Sequence, residues 1–181
     1  MSLRHCLPLP RFAALAVLLV CLLASDRSLA ETLPAPEGPV LLEVTGAISK
    51  GNARDDQGRP LAELDLALLE RFGGTLLETE TPWTQGPVVF EGIAGAQLIE
   101  LLGVEGQTAA AVALNDYRVD IPVSDFRDAE LLIAYRRDGE AMRVRDKGPL
   151  WIVFPFSDDA KYGSNDYLAR SVWQLHRLDF R

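Results

Sequence analysis

The stretch LLIAYRRDGEAMRVRDKGPLWIVF, Leu131–Phe154, decides the fold class. Leu131–Arg137 reads as a strand rich in large apolar side chains, and Asp138-Gly139 follows it before a second run. Both of those residues tolerate the positive φ that a two-residue hairpin turn demands, so the segment is expected to fold back on itself. Such a turn pairs Arg137 with Glu140 and Arg136 with Ala141, and directly opposed partners share a face of the sheet. Extended outward, one face carries Ile133, Tyr135, Met142 and Val144. The other carries Leu132, Ala134, Arg136, Arg143 and Arg145, with Lys147 beyond. Leu150–Phe154 is an apolar run of strand length, as a strand buried on both faces should be.

Working outward, Val40–Gly46, Thr75–Thr81, Val88–Phe90, Thr108–Leu114, Arg118–Ile121 and Ser171–Phe180 also read as strands. Leu64–Phe72 and Ala94–Leu102 have helical spacing of apolar residues, and Gly73-Gly74 and Gly103 stop them. Ser49–Pro60 and Ser157–Asp166 are polar and are expected to be loops. Many short strands with a few short helices imply an α+β domain of mostly antiparallel, mixed sheets.

The N-terminus is read as an address label. Arg4 and Arg11 flank a polar start, an apolar run follows from Phe12 to Ala24, and Ser28-Leu29-Ala30 supplies small residues where a signal peptidase cuts. Residues 1–30 are therefore expected to be a signal peptide, and the run is too short to span a bilayer comfortably. Val20 stands before Cys21 where a lipoprotein signal wants a small residue. Residues 31–39, with three prolines, read as a flexible tether, and 40–181 as a single domain. The implied location is periplasmic or secreted, with no membrane span after cleavage.

Charge and composition exclude several activities. Signal removal takes three arginines and one aspartate from a chain of net charge −8, leaving −10. A nucleic-acid binder needs the opposite sign to displace counterions from phosphates. Cys6, Cys21 and His5 leave with the signal, so 31–181 hold no thiol and one histidine, His176. Cysteine catalysis, disulfides and His/Cys metal sites are then ruled out. The acidic loops lack calcium-loop spacing, and neither a phosphate-binding glycine loop nor a GxSxG elbow is present. His176, among Trp173, Leu175 and Leu178, reads as a strand histidine, and Asp158-Asp159 alone does not mark a glycosidase.

The order of several pieces carries a resemblance. Thr81-Pro-Trp-Thr-Gln-Gly-Pro87, Phe90-Glu-Gly92 and Leu98–Leu102 come first. Asn115-Asp-Tyr117, Ile121-Pro122, Ala134 and Asp138-Gly139 follow. Lys147-Gly-Pro-Leu150, Ile152-Val-Phe-Pro155 and Ser171-Val-Trp-Gln-Leu175 close the series. In this order, over about 40–181, the chain resembles the sulfite-oxidase-like molybdopterin-binding domain. The resemblance implies that family's fold and, by family, an oxidoreductase. It also implies a departure. Family enzymes hold molybdenum through a cysteine thiolate, absent here, and place a basic residue where this chain has Trp151. The histidine-rich pterin cradle is missing too. The chain is similar to short exported members that keep the fold without the redox chemistry.

The expected function is therefore a non-catalytic ligand- or partner-binding, or sensory accessory, module. A molybdopterin-dependent oxidoreductase with an atypical site is the alternative, and a hydrolase with an unrecognised carboxylate site is a further one. The binding candidates are Arg136, Arg143, Arg145 and Lys147, with Tyr117 and Tyr162 as aromatic neighbours. Guanidinium forks on one face suit a phosphate or carboxylate, so the partner would be an anionic ligand or an acidic protein.

Overall fold

In strand order, β1 (Leu42–Gly46), β2 (Ala53–Arg54) and β3 (Pro60–Leu64) precede α1 (Leu66–Phe72). Then come β4 (Thr75–Thr79), β5 (Val88–Ala94), α2 (Gly95–Leu102), β6 (Thr108–Ala113), β7 (Arg118–Pro122) and α3 (Val123–Asp128). The chain closes with β8 (Leu132–Arg137), β9 (Glu140–Ala141), β10 (Trp151–Val153), α4 (Asn165–Arg170) and β11 (Leu175–Phe180). This computed structural model describes residues 33–181; the expected signal peptide, 1–30, lies outside them. Among the described residues no helix is long and apolar enough to cross a membrane.

The strands form two sheets, and the protein is a mixed α+β fold, mostly strands with a few short helices. One sheet runs β2-β3-β1-β11-β6-β7, with only β1 and β11 parallel. The other runs β10-β8-β5-β4 with β9 beside β8, all antiparallel. Leu42, Val44, Ala111 and Leu178 of the first sheet share one apolar core with Ile93, Ile133, Tyr135 and Ile152 of the second. A second cluster, Phe90, Leu132, Ala134, Met142, Trp151 and Val153, covers the opposite face of the smaller sheet. Trp83 and Trp173 pack onto it.

The Asp138-Gly139 turn forms as expected, with φ of 51° and 79°, and Arg137 pairs with Glu140 and Arg136 with Ala141. One long bond follows, from the Met142 N–H to the Tyr135 carbonyl (3.4 Å), and the ladder then stops. The Arg143 carbonyl accepts from the N–H of both Asp146 (2.8 Å) and Gly148 (2.9 Å), curling the chain into a short 3₁₀ turn at Val144–Asp146. The place beside Leu132–Ala134 goes to β10, in the register Trp151↔Ala134, Ile152↔Ile133, Val153↔Leu132. The expected basic face is thus corrected: Arg143 and Arg145 do not lie opposite Ala134 and Leu132. Apolar strand residues win that position because a guanidinium there would be stripped of water without a partner. Gly92 is required where β5 crosses β8, since a Cβ on it would stand 2.3 Å from the Ile133 carbonyl oxygen.

Other differences are local. Ser49–Pro60 holds β2, which pairs with β3. The last strand begins at Leu175 because Gln174 turns aside at φ 55°. Residues 33–39, expected to be a free tether, have no regular structure yet are seated on the domain. Leu33 is buried, the Pro34 carbonyl accepts from Asn52 Nδ2 (2.8 Å), and the N–H groups of Glu37 and Gly38 both donate to Asp65 Oδ2 (2.7 Å each). Asp65 also caps α1, taking the Leu68 N–H on its other oxygen (2.9 Å). These backbone donors, Leu68 first, hold its carboxyl below the ordinary value.

Candidate functional site

The six candidates separate into three groups. Arg136 is an internal ion-pair residue: it bonds Glu70 of α1 and reaches Glu91 at 3.8 Å. Tyr135 beside it takes the Gly74 N–H (3.1 Å) and donates to Glu91 (3.3 Å). Burial, then the Glu91 charge, pushes that hydroxyl above its ordinary pKa. The meeting of Tyr135 and Arg136 at one carboxylate follows from the irregularity between β5 and β8, where Glu91 opposes Arg136 but Gly92 opposes Ala134. Tyr162 is also a core residue. It is buried, donates to the Ala129 carbonyl (3.1 Å), and its ring lies 5.8 Å from Phe154 and 4.9 Å from Tyr167.

Arg143, Arg145 and Lys147 lie on a segment that Gln174 ties to Leu114, three residues before Tyr117. Arg143 and Arg145 are exposed and share Asp146 (2.9 and 3.6 Å), a surface arrangement that contributes little to stability. Lys147 lays its Nζ 4.2 Å from the Trp173 ring centroid and 5.7 Å from that of Trp151, both cation–π contacts. Trp173 in turn lines a recess of about 240 Å³ together with Tyr117, Asn115, Leu168, Ser171 and Val172. Tyr117 is held over it by a hydrogen bond to the Ala169 carbonyl (3.0 Å).

Gln174 joins the two parts. Its N–H donates to the Lys147 carbonyl (2.9 Å), its carbonyl accepts from Leu114 (2.9 Å), and its Nε2 donates to the Val144 carbonyl (2.8 Å). Leu114, Tyr117 and Val144 are 49%, 44% and 51% exposed; Tyr117 lines the recess, and the other two, both bonded to Gln174, extend it as an apolar lip. Arg143 and Arg145 flank Val144 in the chain, and Lys147 reaches the recess through Trp173. Gln174, Leu114 and Val144 were not candidates on sequence grounds. The exposed apolar lip depends on which strand fills the place beside β8, and no local signal reports that.

The lining is mostly apolar and aromatic, with Asn115, Tyr117 and Ser171 among it. Ser171 Oγ donates to the Tyr167 carbonyl (2.8 Å), and no base lines the recess beside it. His176 sits half-buried at a bulge in β11, outside the lining. The residues present do not fit a molybdenum–pterin group. No thiol is available in 31–181. Trp151, where the resemblance implies a basic residue, is fully buried edge-on to Phe90 (5.3 Å) and Trp83 (6.0 Å). Its indole N–H has no partner among the described residues. Nor do three His, Cys, Asp or Glu side chains among the described residues cluster closely enough to hold a metal.

Fold and site together define a two-sheet α+β domain with an aromatic recess that Lys147 reaches through Trp173. No protein-family model matches the chain, and a search of curated proteins returns no significant relative.

Proposed function

We propose that this chain is an exported, non-catalytic binding module with a sulfite-oxidase-like fold, working in the periplasm or outside the cell. It takes an acidic partner or anionic ligand at the recess beside Tyr117 and Trp173. One observation carries the reading: an apolar lip with Arg143 and Arg145 beside Val144 and Lys147 on Trp173, in a stretch, residues 31–181, whose net charge is −10. A basic rim on an acidic body steers negative groups to one place, and the apolar lip then holds them. The order of motifs from Thr81 to Leu175 supports the fold family, and the signal-like residues 1–30 support export.

The test is titration of the protein with short acidic peptides bearing one Leu or Phe, followed by NMR. Shifts centred on Tyr117, Trp173 and Val144 are expected, weakening as salt rises and lost in an Arg143→Gln/Arg145→Gln variant. Shifts that ignore salt and that variant would overturn the site. Stoichiometric molybdenum in protein purified from its native host would overturn the non-redox reading.

A further inference from the structure

The outer face of the larger sheet carries a second arrangement, independent of the recess. Register places Glu43, Arg177, Val112 and Arg118 in one row across β1, β11, β6 and β7. Adjacent strands lie about 4.8 Å apart. Arg177 and Arg118 therefore flank Val112 at a spacing two guanidinium groups can close upon one anion.

Val112 is buried, yet it belongs to neither apolar cluster. Register puts Arg177 and Arg118 on either side of it on the outer face, where long cationic stems can lie along apolar surface. The row borders a recess of about 600 Å³, with Arg54 on its far wall.

The charges there are unequally engaged. Asp55 takes Arg59 (2.6 Å) and the N–H groups of Gln57 and Arg59 (2.9 Å each). Asp179 takes Arg181 (3.0 Å) and the Thr45 hydroxyl (3.2 Å). Among the described residues, Arg118 and Arg177 have no carboxylate within ion-pairing distance, and Arg54 bonds only the Gly58 carbonyl (2.7 Å). In the recess three guanidinium groups thus stand with two uncommitted carboxylates, those of Glu43 and Asp56, and the ladders add Glu63 opposite Glu43 and Asp120 opposite Ala110 on the same face. These carboxylates repel any polyanion long enough to cross the face, so the arrangement selects a small one.

We propose that Arg118 and Arg177 clamp a small multivalent anion over Val112, either phosphate or a short polycarboxylate. Paired guanidinium forks match the oxygen geometry of both.

Calorimetric titration of the full domain with inorganic phosphate, and separately with citrate, tells the two apart, with chloride at matched ionic strength as control. Saturable binding of one of them is expected. It should weaken by about tenfold or more in Arg118→Gln or Arg177→Gln, since each loses a charge-assisted hydrogen bond, and stay unchanged in Arg143→Gln/Arg145→Gln. Arg118→Lys keeps charge and stem but loses the fork, so it should fall between. Thermal melts establish that each variant is folded. Heat no greater than the chloride control for both anions would overturn the proposal. So would binding that survives both single Gln variants, or binding lost only with Arg143 and Arg145.

Discussion

Turned away from the shared core, the smaller sheet carries Phe90, Ala134, Trp151 and Val153, while the larger one carries Glu43, Thr45, Arg177 and Asp179. The difference is written in the strands. LEVTG in β1 alternates, as a strand with one solvated face does, and LIAYRR and WIV in β8 and β10 do not. A continuous apolar strand needs cover on both sides. Here Trp83 and Trp173 arrive from distant segments to supply it, edge-on to each other at 5.3 Å. The open face keeps its charges. The covered face contributes stability and moves its cations to the turn beyond it.

That contrast has measurable consequences. Trp151→Ala should cost about 3–5 kcal/mol in denaturant unfolding, through the cavity left between Phe90 and Trp83. Thr45→Ala on the open face should stay within roughly 0.5 kcal/mol. Equal losses would mean the faces do not differ as described.

Asp65→Ala removes a helix cap and the acceptor for Glu37 and Gly38, and should cost about 1–2 kcal/mol. Its effect should also depend on pH. The folded-state carboxyl titrates below the ordinary 3.8, so its contribution is complete above that value. It disappears as pH falls through the lower folded-state value. Stability of the wild type and of Asp65→Asn, measured by urea unfolding from pH 6 down to pH 2, should therefore converge at the acid end. A constant gap would contradict the latch.

Arg136→Gln should destabilise measurably, because Glu70 and Glu91 lose their partner. Arg143→Gln/Arg145→Gln should change stability by less than about 0.5 kcal/mol and act on binding alone. The reverse ranking, read from midpoints of urea unfolding, would put the cations back on one face.

Sequence carried local chemistry well and competition between distant segments poorly. Asp138-Gly139 announced its turn, and Gly103 its left-handed helix stop at φ 59°. The arrangement α+β followed from short strands and few helices. The end of the β8–β9 ladder was not legible, because nothing in Met142–Asp146 forbids extension. The outcome depends on Trp151–Val153 fitting better. Gln174 gave no warning of its positive φ, being neither Gly nor Asn. The seating of 33–39 rests on an aspartate 27 and 28 residues away from the groups it binds. Of the site, Tyr117 and the cations at 143–147 were named from sequence. Leu114, Val144 and Gln174 beside them were not.

The parallel contact of β1 with β11 has a temporal meaning. β11 lies between β1 and β6 and is the last of the described strands to leave a ribosome. Until it arrives, β2-β3-β1 and β6-β7 are separate ribbons, each with an open edge, and their joining must close a loop of more than a hundred residues. The smaller sheet has no such dependence, so the larger one closes as a unit only when β11 seats between its two ribbons.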